Sequence, residues 1–428
     1  MSSQQQPSKQ TAPKGTLRTF FTIWTGQIAS LLGSQLVGFA LVWWLTETTN
    51  SAITLAIATT VSVLPGIIIA PIAGALIDRW DRRRVMIVAD CLVALVTLGL
   101  AGLFALDVVR PWHLYVLMLL RATGGAFHWP AMQAATGQLV PRKHLARVSG
   151  LNQALQGAAN IIIPPAGALV LQILPMQSIL AIDIVTAAIA TLPLLFVRIP
   201  RPKTAMQTTS LSSDLREGLK YVTHQRGLML TILCAAFVTV LTVPATSFIP
   251  LMVTRHFDGG ALELGWMQSA LGFGVVAGGL LLSTWGGFHN RSVTAIVALF
   301  FRGIGMLIVG LTPSTGFPLA LAATFFYNAA GTLVDGSIMA ILQSVVPNHL
   351  MGRVVTIVNS GFALSIPIGM AIGGPLADRA GVSACFVGAG ILTALTAIAA
   401  FANKDIMNMG REAMVSDTPA LGQLSPAD

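Results

Sequence analysis

Charge is scarce in this chain. Only 10% of its 428 residues are Asp, Glu, Lys or Arg, while 54% are hydrophobic and the mean hydropathy is +0.76. A soluble domain carries about 25% charged residues, so a water-covered globule is excluded and a chain that crosses a membrane many times is expected. Cysteine is rarer still: Cys91, Cys234 and Cys385 stand far apart, each inside an apolar run. That excludes a disulfide framework or a thiolate metal cluster and leaves three small core residues. The seven histidines assemble into no metal motif and no nucleophile–base pair, and there is no Gly-x-x-x-x-Gly-Lys-Ser/Thr loop. An enzyme, a metal site, a bound cofactor and nucleotide-driven work by this chain alone are thereby set aside.

What is present is apolar length. Twelve runs are long enough to cross ~30 Å of hydrocarbon as helices: 17–45, 52–77, 85–106, 112–138, 146–173, 177–198, 228–253, 262–286, 292–312, 317–345, 353–376 and 382–403. The expected class is an all-α membrane protein with twelve transmembrane helices. The first run far exceeds the core of a signal peptide and is read as a span. Residues 1–15 and 404–428 are polar and are expected to be disordered.

The net charge of +9 is distributed by topology. Twenty of the 25 Lys and Arg fall on one side of the twelve runs, and only Arg110, Arg255 and Arg379 fall on the other. Positive residues are retained on the cytoplasmic side, so both termini are expected there. The bilayer accounts for the basic residues, and no nucleic-acid partner is expected.

The long connection 199–227 divides six runs from six. Its first part is a Pro- and Ser/Thr-containing linker. In its second part Leu215, Leu219 and Val222 recur at helical spacing, which predicts a short amphipathic helix on the membrane surface. The parts 16–198 and 228–403 echo each other. A shift of 206 residues superposes Gly125 on Gly331, Ala134 on Ala340, Val140-Pro141 on Val346-Pro347, Arg147-Val148 on Arg353-Val354 and Gly167 on Gly373. Two duplicated six-helix halves related by a pseudo-twofold axis are expected.

Between the second and third runs lies a burst of six charges in seven residues, Asp78-Arg79-Trp80-Asp81-Arg82-Arg83-Arg84, with Gly74 four residues before Asp78. This spacing resembles the loop signature of the major facilitator superfamily. With Ile23-Trp24-Thr25-Gly26-Gln27, the 45–52 turn and Ala126-Phe127-His128-Trp129-Pro130-Ala131, the chain looks like the superfamily's macrolide-efflux branch, which also holds siderophore exporters. The resemblance implies parallel six-helix halves, a central cavity lined by spans 1, 4, 7 and 10, and a proton-handling arginine on span 4. Arg121 with Gly125 matches that last pattern, while Gly124 stands where the family often has glutamine. The span 5 antiport signature is only partly present, as Pro164-Pro165-Ala166-Gly167, which weakens the case for proton antiport.

Ionisable residues inside spans are costly enough to be read as functional candidates. Arg121 and His128, seven residues apart, share a helix face. Asp335 lies on the stripe Asn328, Gly331, Asp335 of span 10 and is the expected proton-coupling group, or else a permanent ion-pair partner. Asp183 and Arg302 sit on helices that are peripheral in the resembled fold, so structural pairing is expected for both. Asp90 lies about 9 Å along a helix from Arg84 and is read as part of a gate with Gly74, Asp78, Arg79, Arg82 and Arg83. Polar cavity candidates are Gln27, Ser30, Ser34 and Gln35 in span 1 and Thr239, Thr242 and Thr246 in span 7. The expected function is export of amphipathic small molecules in exchange for protons by a monomer. A dedicated metabolite exporter, such as one for a siderophore, and a non-transporting sensor are the alternatives. A net positive cavity would favour anionic substrates, and a dominant Asp335 cationic ones.

Overall fold

The computed structural model describes residues 16–77, 80–197 and 211–409. Asp78 and Arg79 of the expected gate, the first part of the linker, residues 1–15 and most of the C-terminal tail lie outside these residues. Among the described residues there are fourteen helices of eight residues or more: α1 (Thr16–Thr49), α2 (Ala52–Ile77), α3 (Arg82–Ala105), α4 (Pro111–Leu139), α5 (Arg142–Ile173), α6 (Met176–Phe196), α7 (Leu211–His224), α8 (Arg226–Ser247), α9 (Ile249–His256), α10 (Ala261–Trp285), α11 (Arg291–Leu311), α12 (Phe317–Val345), α13 (Asn348–Ala380) and α14 (Val382–Ala402). Eleven of them are long and apolar enough to cross a membrane by composition alone. The twelfth span, α4, falls short because Arg121, His128 and Gln133 interrupt its apolar run.

Three readings from sequence need correction. The seventh span is not one helix. It breaks at Phe248 (φ −93°, ψ 10°) into α8 and α9, beside Pro250, whose ring nitrogen cannot continue the helical hydrogen bonding. The chain also does not lose its structure at Lys404. Residues 404–409 are helical, started by Asn403, whose side-chain oxygen accepts the N–H groups of Asp405 and Ile406. Ile406 and Met409, one helical turn apart, are buried there. Finally, α7 does form, yet it docks on protein as well as facing outward. Tyr221 donates to the Val345 carbonyl at 3.1 Å, Glu217 meets Arg353 at 2.5 Å and Val222 is buried, while Leu219 stays exposed.

The repeat is visible in the helix bounds. Helices α4, α5 and α6 begin at Pro111, Arg142 and Met176, and α12, α13 and α14 begin 206 residues later in each case, at Phe317, Asn348 and Val382. Pro141 and Pro347 cap the starts of α5 and α13 with matching backbones, −56°/141° and −56°/142°. Gly167 of α5 abuts Phe39 of α1, and Gly373 of α13 abuts Pro244 of α8; in both places a Cβ would collide with the neighbouring helix.

The halves, α1–α6 and α8–α14, share a core at one end only. One apolar cluster takes residues from both: Val37, Leu41, Leu55 and Leu117 with Phe248, Leu251, Met267 and Phe386. These residues lie toward the end of the bundle away from the charged loops. Near the charged loops the cores are separate, one built around Phe20, Met86 and Leu139 of the first half and one around Leu228, Leu342 and Val354 of the second. The described hydrogen bonds between halves follow the same division. Ser269 of α10 donates to the Ile161 carbonyl of α5 at 2.6 Å, and Asp378 and Arg255 bind residues 50–53 at the far face. The halves are joined at the far face and part toward the basic one.

Candidate functional site: two charged cavities

Each half encloses a cavity of about 350 Å³. In the first half, α1 contributes Gln27, Ser30 and Ser34, α3 Asp90, α4 Arg121 and His128, and α6 Asp183. Helical spacing explains the set: Gln27, Ser30 and Ser34 are three and four residues apart and share a face, as do Arg121 and His128.

The deep end of this cavity is closed by charge. Arg121 forms an ion pair with Asp183, which is 1% exposed. Ser34 donates to the other oxygen of Asp183 at 2.9 Å, and Arg121 donates to the Thr97 hydroxyl at 3.2 Å. A buried ion pair offsets its desolvation only when such extra hydrogen bonds are made, and here they are. Asp183 therefore does pair, as expected, but it faces the cavity and is not peripheral.

Nearer the basic face sits a looser group. Nε2 of His128 is 3.4 Å from Oδ1 of Asp90, and Gln27 donates to Oδ2 at 3.4 Å. The side chains of His128 and Asp90 are 20% and 12% exposed. Asp90 thus turns into the cavity instead of reaching back to Arg84, because α3 presents position 90 to α4 and α1. Of the other gate residues that are described, Arg83 donates to the Leu195 carbonyl at the end of α6 at 2.5 Å and Arg82 is buried, while their neighbour Asp81 caps α3 by accepting from the N–H groups of Arg83 and Arg84. Gly74 lies within α2.

In the second half, Asp335 is exposed to a cavity that it shares with Arg302, Thr239, Thr242 and Asn359. Arg302 of α11 lies over Gly331, where a Cβ would stand 3.3 Å from the guanidinium carbon. Its Nη2 donates to Thr242 at 3.5 Å, and its Nε has no hydrogen-bond partner. Tyr327, one turn before Gly331, is wholly buried with its hydroxyl also unpartnered. Asp335 follows one turn after Gly331 and shares its cavity with Arg302, whereas Arg121 lines the cavity of the other half. Asn328 points elsewhere: its amide donates to the Leu271 carbonyl at 2.6 Å and lines a third cavity, between the halves, with Gln35 and Thr246. Sequence reasoning missed that Asp183 and Arg302 complete the two centres. The signal was the cost of an ionised group within a span, which applied to them as much as to Arg121.

Twelve crossing helices in two repeated halves, each around a charged cavity, define a membrane transporter and not an enzyme. The family model for transmembrane secretion effectors matches residues 11–424; the chain belongs to that family of the major facilitator superfamily, in its macrolide-efflux branch. It is 30% identical to macrolide efflux protein A of Streptococcus pyogenes, over 89% of this chain and 94% of that one. It is 27% identical to the multidrug efflux pump Tap of Mycolicibacterium fortuitum, over 83% and 88%. Among solved structures, a bacterial homologue of the lysosomal transporter Spinster superposes with a TM-score of 0.69 at 12% identity, covering 97% of this chain and all of that one. The D-xylose–proton symporter gives 0.64 at 15%, covering 89% and 96%. The protein is a multi-pass bacterial membrane protein.

Proposed function

We propose that this protein exports amphipathic, macrolide-like small molecules from the cytoplasm by alternating access, in exchange for protons, as a monomer with both termini cytoplasmic. The observation that carries the reading is the asymmetry of the halves. They are sealed by a shared apolar core at one face and part toward the basic face, where each half presents a cavity. Apolar walls with a few placed polar groups suit a drug-sized ligand, and Met132 and Trp24 on the first cavity suit an adaptable one. The curated relatives named for efflux of macrolides and of multiple drugs support the direction and the class of cargo. Asp335, exposed to the second cavity beside Arg302, is the group assigned to proton coupling. Asp78 and Arg79, with Gly74, are assigned to the gate at the basic face.

Dedicated export of a metabolite such as a siderophore is the second reading. An anionic cargo would need a net positive cavity, and Arg121 is neutralised by Asp183, which disfavours it. The deciding experiment is efflux of a panel of dyes, macrolides and siderophores from vesicles, with and without a proton gradient. Gradient-dependent movement of the first two classes is expected; no movement of any class would leave the sensor reading standing.

A further inference from the structure

The first-half cavity holds two carboxylates in opposite situations. Asp183 is fully committed, to the Arg121 guanidinium, the Ser34 hydroxyl at 2.9 Å and the Thr97 hydroxyl at 3.5 Å. Asp90 is not. Its two contacts, to His128 and Gln27, are both 3.4 Å long, and Nε2 of His128 is buried without a hydrogen bond. A carboxylate at this depth requires a cation, and the local protein supplies one only when the imidazole is protonated.

We infer that Asp90 is the counter-ion for a positively charged nitrogen on an amphipathic cargo, and that protonated His128 competes with that nitrogen for the same carboxylate. The inference deepens the export reading and rests on it for the identity of the cavity. Other charged groups facing Asp90 are few. From α4 come His128 and Arg121, and from α6 Asp183; the last two neutralise each other. Helices α1 and α5 present uncharged groups, Gln27 and Ser30 from one and Asn152 and Gln156 from the other. Among the described residues lining this cavity, no unpaired fixed positive charge opposes a cation beside Asp90.

The walls fit the rest of such a molecule. Trp24 and Trp129 line the cavity with aromatic rings, a residue type that attracts a cation, and Leu31 and Met132 line it with apolar surface. Trp24 is held in place by donating from its indole N–H to Asn152 at 2.7 Å. The geometry orders the cargo, with its nitrogen at Asp90 and its apolar body along these walls. The Arg121–Asp183 pair forms the floor. Protonation of His128 both pairs with Asp90 and repels a cation, so cation binding should weaken as the pH falls, while an uncharged ligand should be indifferent.

The test is direct binding to the purified full-length protein in lipid nanodiscs, read by the fluorescence of ethidium, a cation, and of Nile red, which is uncharged. Because binding is measured, failure of vesicle export would bear on the transport reading and not on this one. Asp90→Asn should weaken ethidium at least about tenfold, the loss of one desolvated charge pair, and leave Nile red within about twofold by the same argument. Wild-type affinity for ethidium should fall on acidification, and His128→Gln should flatten that dependence. Should Asp90→Asn fold poorly, the pH profile of His128→Gln still decides. Unchanged ethidium binding in Asp90→Asn, equal loss of both dyes in a folded variant, or a wild-type pH profile in His128→Gln would each overturn the inference.

Discussion

The carboxylate of Asp378, in the last turn of α13, caps the start of α2 across the boundary between the halves: one oxygen accepts the N–H of Ala52 at 2.8 Å. The other oxygen accepts the N–H of Ile53 at 3.0 Å and the Ser51 hydroxyl at 2.9 Å. Arg255 of α9 stands 3.2 Å from the same carboxylate and also binds Asn50. A helix start leaves its first N–H groups unbonded, and here the second half supplies the acceptor that the first half lacks.

Replacing Asp378 with Ala should therefore loosen the far face specifically. A lost cap costs about 0.5–2 kcal/mol, enough to shift the ratio of the two end states several-fold. Pulsed electron resonance between spin labels on the first turn of α2 and the last turn of α13 would read the shift. Distances identical to those of the parent protein would refute a latch at this residue.

The ion pair of Arg121 and Asp183 makes a different demand. Asp183→Asn strands a guanidinium in the membrane interior, and breaking a buried pair costs about 3–5 kcal/mol. The single variants should melt well below the parent protein in detergent. Arg121→Gln with Asp183→Asn should recover part of the loss, because no unpaired charge remains. Strictly additive losses would mean that the two residues are not coupled.

Asp335→Asn should bind cargo yet lose gradient-driven accumulation, since the amide imitates a permanently protonated acid. Exchange without a gradient should survive in vesicles. Uphill efflux with an unshifted pH profile would move the coupling role to another group, with Asp183 the next candidate.

Much of this was legible from the chain. The apolar runs fixed the number of spans, and the 206-residue echo reappears in the starts of α4–α6 and α12–α14. Partners were harder to read. The path of Arg121 to Asp183, 62 positions away, depends on how α4 and α6 rotate against each other, and periodicity reports a residue's face without naming what stands opposite. Distance along a helix places Asp90 near Arg84, and direction around the helix, which the sequence leaves open, turns it to His128 and Gln27. The break at Phe248 and the turn 404–409 were missed for the same kind of reason. Prolines such as Pro244 and Pro250 in a hydrophobic run are compatible with a mere kink, and two apolar side chains in a polar tail are too few to signal burial.

A sequence relationship sharpens the expectation for the loop at the basic face. Gly74-x-Leu76-x-Asp78-Arg79, whose first residues lie in the last turn of α2, recurs in sequence as Gly374-x-Leu376-x-Asp378-Arg379 at the end of α13. If the two aspartates latch opposite faces, their amide variants should shift the balance in opposite directions. Asp78→Asn should favour the state sealed at the far face, and Asp378→Asn the state sealed at the basic one. Accessibility of single cysteines on both faces would measure this, and parallel shifts would dismiss the pairing.

The apolar cluster that joins the halves has a thermal consequence. In the cycle proposed above it must part whenever the far face opens, handing some of its surface to water. Hydration of apolar surface carries a large positive heat capacity. The equilibrium between the two end states should then follow a curve with temperature and not a straight line. A transporter sealed in this way carries its own thermometer, and its resting orientation at growth temperature need not be the one it adopts in the cold.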